Sequence, residues 1–247
     1  GGMMASLLGK PLVLHEQNSV AGLANKLLAR IADRVFTAFP QVLPGAAWVG
    51  NPLREAFTSQ PAPAQRLEGR DGPLRLLVVG GSLGAKALND TVPQALALIP
   101  EAQRPQVVHQ SGAKQIDALR ASYAAAGVEA MLTPFIEDTA TAFAQADLVI
   151  CRAGASTVTE IAAVGAAAVF VPFPFAVDDH QTTNARFLVE QGGGWLLPQS
   201  ELTAQGLATQ LQQLTRAELL ARAQNAYQQR KTNATREVVV ACEELAA

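Results

Sequence analysis

The stretch Asp147-Leu148-Val149-Ile150-Cys151-Arg152-Ala153-Gly154-Ala155-Ser156-Thr157 carries a short apolar strand straight into small residues, after which a helix opens bearing Glu160. Open α/β sheets hold ligands where a strand meets a helix start in this way, because backbone N–H groups there are unpaired and the helix dipole favours anions. A carboxylate one turn into the helix offers two acceptor oxygens to two adjacent sugar hydroxyls. Upstream, the strand-like Leu74–Val79, the turn Gly80-Gly81-Ser82-Leu83-Gly84-Ala85 and a helical stretch from Lys86 make a second junction of the same kind. Two anion-friendly junctions in one domain point to a nucleotide diphosphate with something attached.

Working outward, strands and helices alternate along the whole chain. Strands are expected at Leu12–Leu14, Arg34–Ala38, Ala47–Gly50, Leu74–Val79, Gln106–His109, Ala130–Leu132, Leu148–Ile150, Ala167–Val171 and Trp195–Leu197. Helical composition fills Gly22–Ala32, Lys86–Leu98, Lys114–Ala126, Asp138–Gln145, Ser156–Val164 and Asp179–Gln191, with three more helices at Leu202–Leu214, Ala217–Lys231 and Thr235–Ala246. Short buried strands alternating with helices mean βαβ units and a mostly parallel sheet, hence the α/β class. Thr58 to Pro73 breaks the pattern: Pro61-Ala62-Pro63 and Glu68-Gly69-Arg70-Asp71-Gly72-Pro73 have the composition of a linker. Leu74 to about Leu214 makes one complete Rossmann-type domain, while the residues before Thr58 make only about half of one. The chain therefore reads as lacking an upstream part. Gly1 to Pro11 reads as the tail of a helix, since it has no basic segment of a signal sequence.

Composition narrows the classes. Hydrophobic residues are 49% and charged residues 16% of the 247, with a formal net charge of -2, so there is no basic footprint of a nucleic-acid binder. The two cysteines, Cys151 and Cys242, lie far apart without metal-ligand spacing, which suits a reduced, cytoplasmic setting and leaves no zinc site or disulfide framework. No run reaches the ~18 apolar residues that a membrane-spanning helix needs.

Each motif also has a plain reading. The glycines after Val79 could serve tight turning alone; they do not match G-x-G-x-x-G, and no acidic residue ends a strand about 20 residues on, which argues against NAD. Thr157 and Glu160 stand in the T-x-x-E spacing of a capping box, which would by itself explain both. His15-Glu16-Gln17-Asn18 is a polar strand end, and Gly50-Asn51-Pro52-Leu53-Arg54 sets Arg54 after a strand, either solvated or beside a diphosphate. Pro172-Phe173-Pro174-Phe175 leads to Asp179-His180-Gln181, where Asp179 could cap a helix or His180 and Gln181 could face sugar hydroxyls. Phe173 and Phe175 are expected in the core, and His109-Gln110-Ser111-Gly112 reads as structure. Met3, Met4, Leu7 and Leu8 suit either a helix packed inward or a membrane-touching face with Lys10 and Arg30 beside it.

Taken in order and spacing, Leu8-Gly9-Lys10-Pro11 through Asn18, Gly50-Asn51-Pro52, Gly80 to Ala85, His109 to Gly112, Phe135-Ile136-Glu137-Asp138, Arg152 to Glu160 and Asp179 to Ala185 resemble the MurG family over almost the whole chain. These are the UDP-N-acetylglucosamine–N-acetylmuramyl-(pentapeptide) pyrophosphoryl-undecaprenol N-acetylglucosamine transferases of bacterial cell-wall synthesis. The resemblance implies the GT-B type of fold, two Rossmann-like halves facing across a cleft, with the N-terminal half incomplete here. Residues 1–57 would be a remnant of the acceptor and membrane-side domain, and 58–232 the donor domain. The helix over 233–247 would pack back on the first part. Gly81 and Ser82 would meet the diphosphate of UDP-N-acetylglucosamine with support from Arg54, and Ala155, Ser156 and Thr157 would border the phosphates. Ile136 would bond the uracil edge through its backbone, Glu160 would hold the ribose, His180 and Gln181 would contact the sugar, and Asn18 would reach in from the other half.

By the same resemblance the reaction is a single inversion. The C4 hydroxyl of the muramyl unit of lipid I displaces UDP at the anomeric carbon to give lipid II, at the cytoplasmic face of the plasma membrane, with the protein bound peripherally. The family's earlier glycine-rich loop with its histidine, the expected source of the general base, does not occur in this sequence, so no catalytic residue is assigned. About a hundred residues would complete the first half, and the chain by itself is expected to bind donor weakly and to be inactive. No Asp-x-Asp motif is present, so neither a metal nor another cofactor is expected. The rival readings are a UDP-sugar epimerase of similar fold and a non-catalytic nucleotide-sugar binding module.

Overall fold

The computed structural model describes residues 1–81, 84–176 and 179–246. A small parallel sheet comes first. It follows α1 (Gly2–Leu7) and contains β1 (Val13–Glu16), α2 (Leu23–Leu28), β2 (Arg34–Thr37) and β3 (Ala47–Trp48), with strand order β1-β2-β3. The third strand is shorter than its sequence suggests because Val49 and Gly50 both turn their N–H groups onto one acceptor, Thr37 O, at 3.1 and 3.2 Å. Two short helices, α3 (Glu55–Thr58) and α4 (Pro63–Leu67), lead to the main sheet.

That sheet alternates β4 (Arg75–Val79), α5 (Lys86–Ala97), β5 (Gln106–Gln110), α6 (Ile116–Ala126), β6 (Met131–Thr133), α7 (Thr139–Gln145), β7 (Leu148–Cys151), α8 (Ala155–Val164), β8 (Ala168–Phe170), α9 (His180–Val189) and β9 (Gly194–Leu196). Its strands are all parallel in the order β6-β5-β4-β7-β8-β9. The chain winds one way from β4 and the other way from β7, so the strand order reverses between two neighbours, where such sheets open a crevice at the carboxyl ends. Three helices close the chain: α10 (Ala204–Gln213), α11 (Arg216–Gln228) and α12 (Ala234–Ala246).

Side chains alternate across this sheet with period two, and both faces are covered. Leu76, Val78, Leu148, Ile150 and Val169 meet α5, α6 and α10, whereas Leu77, Val149, Cys151 and Phe170 meet α7, α8 and α9. Val149 and Ile150 are fully buried, each burial contributing about 1.5–3 kcal/mol. On the small sheet, α12 packs Ala234 and Ala241 against Phe36 and Val49.

Thr58 to Pro73 is a docked segment rather than a linker. Pro63 opens α4, Leu67 is buried, and Arg66 donates to Val164 O and Gly165 O at 2.8 and 2.7 Å and also to Ala144 O. These are end-of-helix carbonyls of α7 and α8, whose partial negative charge draws a cation. The prolines and glycines shape the segment, but the arginines fasten it.

Candidate active site

At the first junction the main chain leaves β4 through Gly80 and Gly81. Gly81 has φ 81°, and it opens toward free space. Gly84, at φ 77°, lies so close to the β5–α6 turn that a Cβ there would stand 2.1 Å from Ser111 O, so only glycine fits. Ser82 lies outside the described residues. Among the described residues no side chain caps α5.

The second junction follows the neighbouring strand, since Val79 and Cys151 are register partners at the ends of β4 and β7. Gly80–Gly81 and Arg152–Gly154 therefore leave the sheet side by side at the crevice. Gly154 is the N-cap of α8, and no side chain bonds the helix start. Ala155, Ser156 and Thr157 are the first three helical residues, and their N–H groups have no partner among the described residues. The capping-box alternative fails here: Thr157 is inside the helix, and Glu160 stands a turn deeper than a cap partner would.

Glu160 is half-buried, and no described group donates a hydrogen bond to it. Burial pushes its carboxyl up to about 7, against the opposing pull of the Arg54 guanidinium. Burial first, and the Glu160 charge second, raise the Cys151 thiol far above its ordinary range, so this cysteine is inert. Arg54 precedes α3, with its guanidinium carbon 5.0 Å from the Phe57 ring centroid. Its charge acts on Glu160 and also helps to lower the Asp138 carboxyl, behind the larger effect of hydrogen bonds from Thr141. The structure thus sets Arg54 among carboxylates on the Glu160 side of the site.

The β8–α9 loop forms the third wall. Gln181 Oε1 accepts from Ala153 N at 3.3 Å and Phe173 N at 2.9 Å, tying this loop to the second junction, and its Nε2 has no described partner. His180 stands beside it at the helix start, half-buried. Arg152 braces the same loop by donating to Val171 O and Pro172 O, both at 3.0 Å, and to Gln199 Oε1 at 2.7 Å. Phe173 and Phe175 are not core residues: they are 42% and 80% exposed and meet edge to face at 5.6 Å. Prolines flank Phe173 in this loop, and its ring meets the Arg152 guanidinium, 5.5 Å from the centroid, instead of a core.

Across from this wall, Asn18 Oδ1 accepts from Asn184 Nδ2 at 3.3 Å, and Ser19 donates from N and Oγ to Asn184 Oδ1 at 2.9 and 2.8 Å. Asn184 is fully buried and also donates to Ala153 O. The sequence places it in the Asp179–Ala185 motif without giving it a role, although an amide sharing a helix face with Ala185 and Leu188 has to be satisfied by something. Asn51, in the Gly50-Asn51-Pro52 motif, is a second buried amide whose role the sequence does not give. Its Nδ2 reaches Thr159 Oγ1 at 3.4 Å, while its buried Oδ1 has no partner.

Ile136 follows β6, which is separated from β7 by β5 and β4. Its carbonyl accepts from Thr139 Oγ1 at 3.3 Å, and its N–H has no described partner. Gly81, the Ala155–Thr157 turn, Glu160, Gln181 and Ile136 thus lie on the carboxyl side of the six-stranded sheet, and Asn18, which follows β1 of the small sheet, reaches it through Asn184. A bound molecule spanning Gly81, the α8 start and Glu160 would meet donors for an anion and acceptors for a diol in turn.

Comparison with known proteins bears on this arrangement. A glycosyltransferase family 28 C-terminal domain model matches residues 75–240. Over 246 residues the chain is 74% identical to a UDP-N-acetylglucosamine–N-acetylmuramyl-(pentapeptide) pyrophosphoryl-undecaprenol N-acetylglucosamine transferase of Acidovorax sp. (strain JS42), covering 100% of this chain and 62% of that relative. A protein of the same description from Paracidovorax citrulli is 73% identical, with 70% of its length covered. The crystal structure of Acinetobacter baumannii MurG superposes with a TM-score of 0.90 at 44% identity, over 99% of this chain and 70% of that one. The chain thus spans a little under two thirds of the length of the first of these relatives.

Proposed function

The chain belongs to the MurG family of glycosyltransferases, and from that premise we propose that its six-stranded domain binds UDP-N-acetylglucosamine for transfer to lipid I. In this reading the diphosphate lies between Gly81–Ser82 and the start of α8 at Ala155, Ser156 and Thr157, where unpaired N–H groups and the helix dipole receive its charge. Glu160 accepts from both ribose hydroxyls, and the Ile136 backbone meets the uracil edge. Gln181 Nε2 and His180 face the sugar, with Asn18 opposite. Arg54 acts chiefly by keeping Glu160 ionised, and its charge adds to the field at the departing diphosphate.

The observation that carries this reading is the Glu160 carboxylate, desolvated and left without a donor beside an uncapped helix start. A buried acceptor without a donor costs free energy, and a diol supplies two donors at the spacing of its two oxygens. In the whole enzyme the C4 hydroxyl of the muramyl unit attacks the anomeric carbon as the bond to UDP breaks. One inversion gives the β1→4 disaccharide of lipid II, and the charge growing on UDP is met by the groups already around the diphosphate.

The membrane side belongs to the same proposal. Helices α1 and α2 touch, as a Cβ on Gly2 would meet Leu28, and they leave Met3, Met4, Leu7, Leu8, Leu23 and Leu27 exposed, with Lys10, Lys26 and Arg30 exposed beside them. Apolar and basic groups together suit the surface of an anionic bilayer at the cytoplasmic face, and no described helix is long and apolar enough to cross one. Isothermal titration of the protein with UDP-N-acetylglucosamine, UDP and thymidine diphosphate tests the donor reading. The uridine compounds should bind and the thymidine compound should bind more weakly; no heat from either uridine compound at millimolar concentration would overturn it.

A further inference from the structure

The last residue of β5 is Gln110, and its register partners are Val79 at the end of β4 and Thr133 at the end of β6. The loops on either side of it are therefore Gly80–Gly81, at the diphosphate turn, and Pro134–Ile136, at the base loop. Gln110 is buried, and its single Nε2 donates to Gly81 O at 3.0 Å and to Pro134 O at 3.3 Å. A strand end has no need of this, because β5 is already paired through its backbone on both sides.

Its neighbours hold Gln110 in place. His109 is fully buried, with Nε2 3.1 Å from Asn89 Oδ1 and Nδ1 2.9 Å from the Tyr123 hydroxyl. An amide oxygen only accepts, so Nε2 carries the proton and Nδ1 accepts from Tyr123. Burial pushes this imidazole down to about 3, so the tautomer is constant across the physiological range. Asn89 in turn donates to Ser111 O and Gln115 Oε1, the two groups against which Gly84 is packed. Ser111 N donates to Thr133 O at 3.0 Å. The strand end is thus fastened to α5, α6 and β6, and Gln110 passes that rigidity to both loops.

We infer that Gln110 is a positioning residue that fixes the span between the diphosphate turn at Gly81 and the base loop at Ile136. The inference rests on the donor reading above, and it adds how one side chain sets the length of nucleotide the site accepts. A ligand that touches both loops gains from their preset separation, whereas a ligand that touches one does not.

The test uses the 247-residue protein, titrated with UDP and with uridine as wild type, Gln110→Asn and Gln110→Leu, with thermal melting to follow folding. Asparagine is one methylene too short to span both carbonyls, and leucine keeps the volume without a donor. UDP affinity is expected to fall about tenfold in the leucine variant and less in the asparagine variant, while uridine affinity changes by no more than about twofold. If the leucine variant does not fold, the asparagine variant decides alone. Equal losses for UDP and uridine, or a folded asparagine variant that binds UDP like wild type, would overturn the positioning role. A wild type that binds neither ligand overturns the donor reading, and with it this one.

Discussion

Changing Glu160 to glutamine should make the protein more stable and a worse binder at the same time. The folded carboxyl titrates at about 7 instead of its ordinary 4.5. The folded state therefore holds a proton that the unfolded state has released between those two values, and stability falls as pH rises through this window. Above pH 7 the cost is fully present. At about 1.4 kcal/mol per tenfold change in proton affinity it would reach about 3 kcal/mol, and partial contact with solvent brings it to about 1–2 kcal/mol. Glutamine keeps the shape and removes the charge, so the melting midpoint at pH 8 should rise by about 2–6 °C, with most of the gain gone by pH 5. UDP-N-acetylglucosamine affinity should fall about tenfold or more, because an amide offers one acceptor oxygen where the carboxylate offered two charged ones. Differential scanning calorimetry at pH 8 and pH 5, with titration of the same samples, reads both effects. A glutamine variant that melts with wild type at pH 8, or that binds donor equally well, refutes the reasoning.

Three further outcomes follow from the same geometry. Wild-type affinity for UDP-N-acetylglucosamine should weaken about tenfold from pH 8 to pH 6, as Glu160 gains its proton at about 7; a flat profile by titration calorimetry would count against the ribose contact. Arg54→Ala removes the charge that opposes protonation of Glu160, so the midpoint of that profile should move to higher pH, and an unmoved midpoint separates the two residues. Asp147→Ala should cost about 2–4 kcal/mol in urea unfolding, because it strands Arg70 and Arg216, yet leave UDP affinity in native buffer unchanged; a selective loss of binding would contradict the structural role given to it.

Both junctions were legible because they depend on local chemistry, namely a strand with β-branched residues, small residues and a helix start. What escaped the sequence depends on partners distant in the chain. Composition alone makes Thr58–Pro73 a linker; only the folded state brings Arg66 to Val164 O, 98 positions away. The hydrophobicity of Phe173 and Phe175 suggested core, but their flanking prolines already argued for a loop that leaves the sheet. T-x-x-E at Thr157 and Glu160 fits a capping box until the helix is seen to start at Ala155, two residues earlier. Arg54 reads from sequence as either solvated or beside a diphosphate, since an arginine's sequence position does not say which carboxylates it faces; only the folded chain brings its charge to Glu160 and Asp138. The His109–Gly112 motif reads as structure, and nothing in it says that Gln110 bonds two loops, because its acceptors Gly81 O and Pro134 O lie 29 and 24 positions away.

The two edges of the main sheet divide the work of stability and binding. At the amino edge Asp147 is 4% exposed and every oxygen is used: Oδ1 accepts from Arg70 at 3.0 Å, and Oδ2 from Arg216 at 2.9 Å and Arg75 N at 2.8 Å. Arg216 continues to the carbonyls of Asp71, Gly72 and Pro73. At the carboxyl edge the opposite holds. Among the described residues no side chain caps α5 or α8, Glu160 is desolvated without a donor, and Phe173 and Phe175 are exposed. Each of these is unfavourable in the free protein, and departures from local rules of this kind are expected at functional sites. Helices away from the crevice show that the repair was available, for α10 and α11 are capped by Thr203 and Thr215. Asp147 with Arg70 and Arg216 fastens the amino edge, while on the proposed reading the donors and acceptors left open at the carboxyl edge are what a nucleotide sugar would complete.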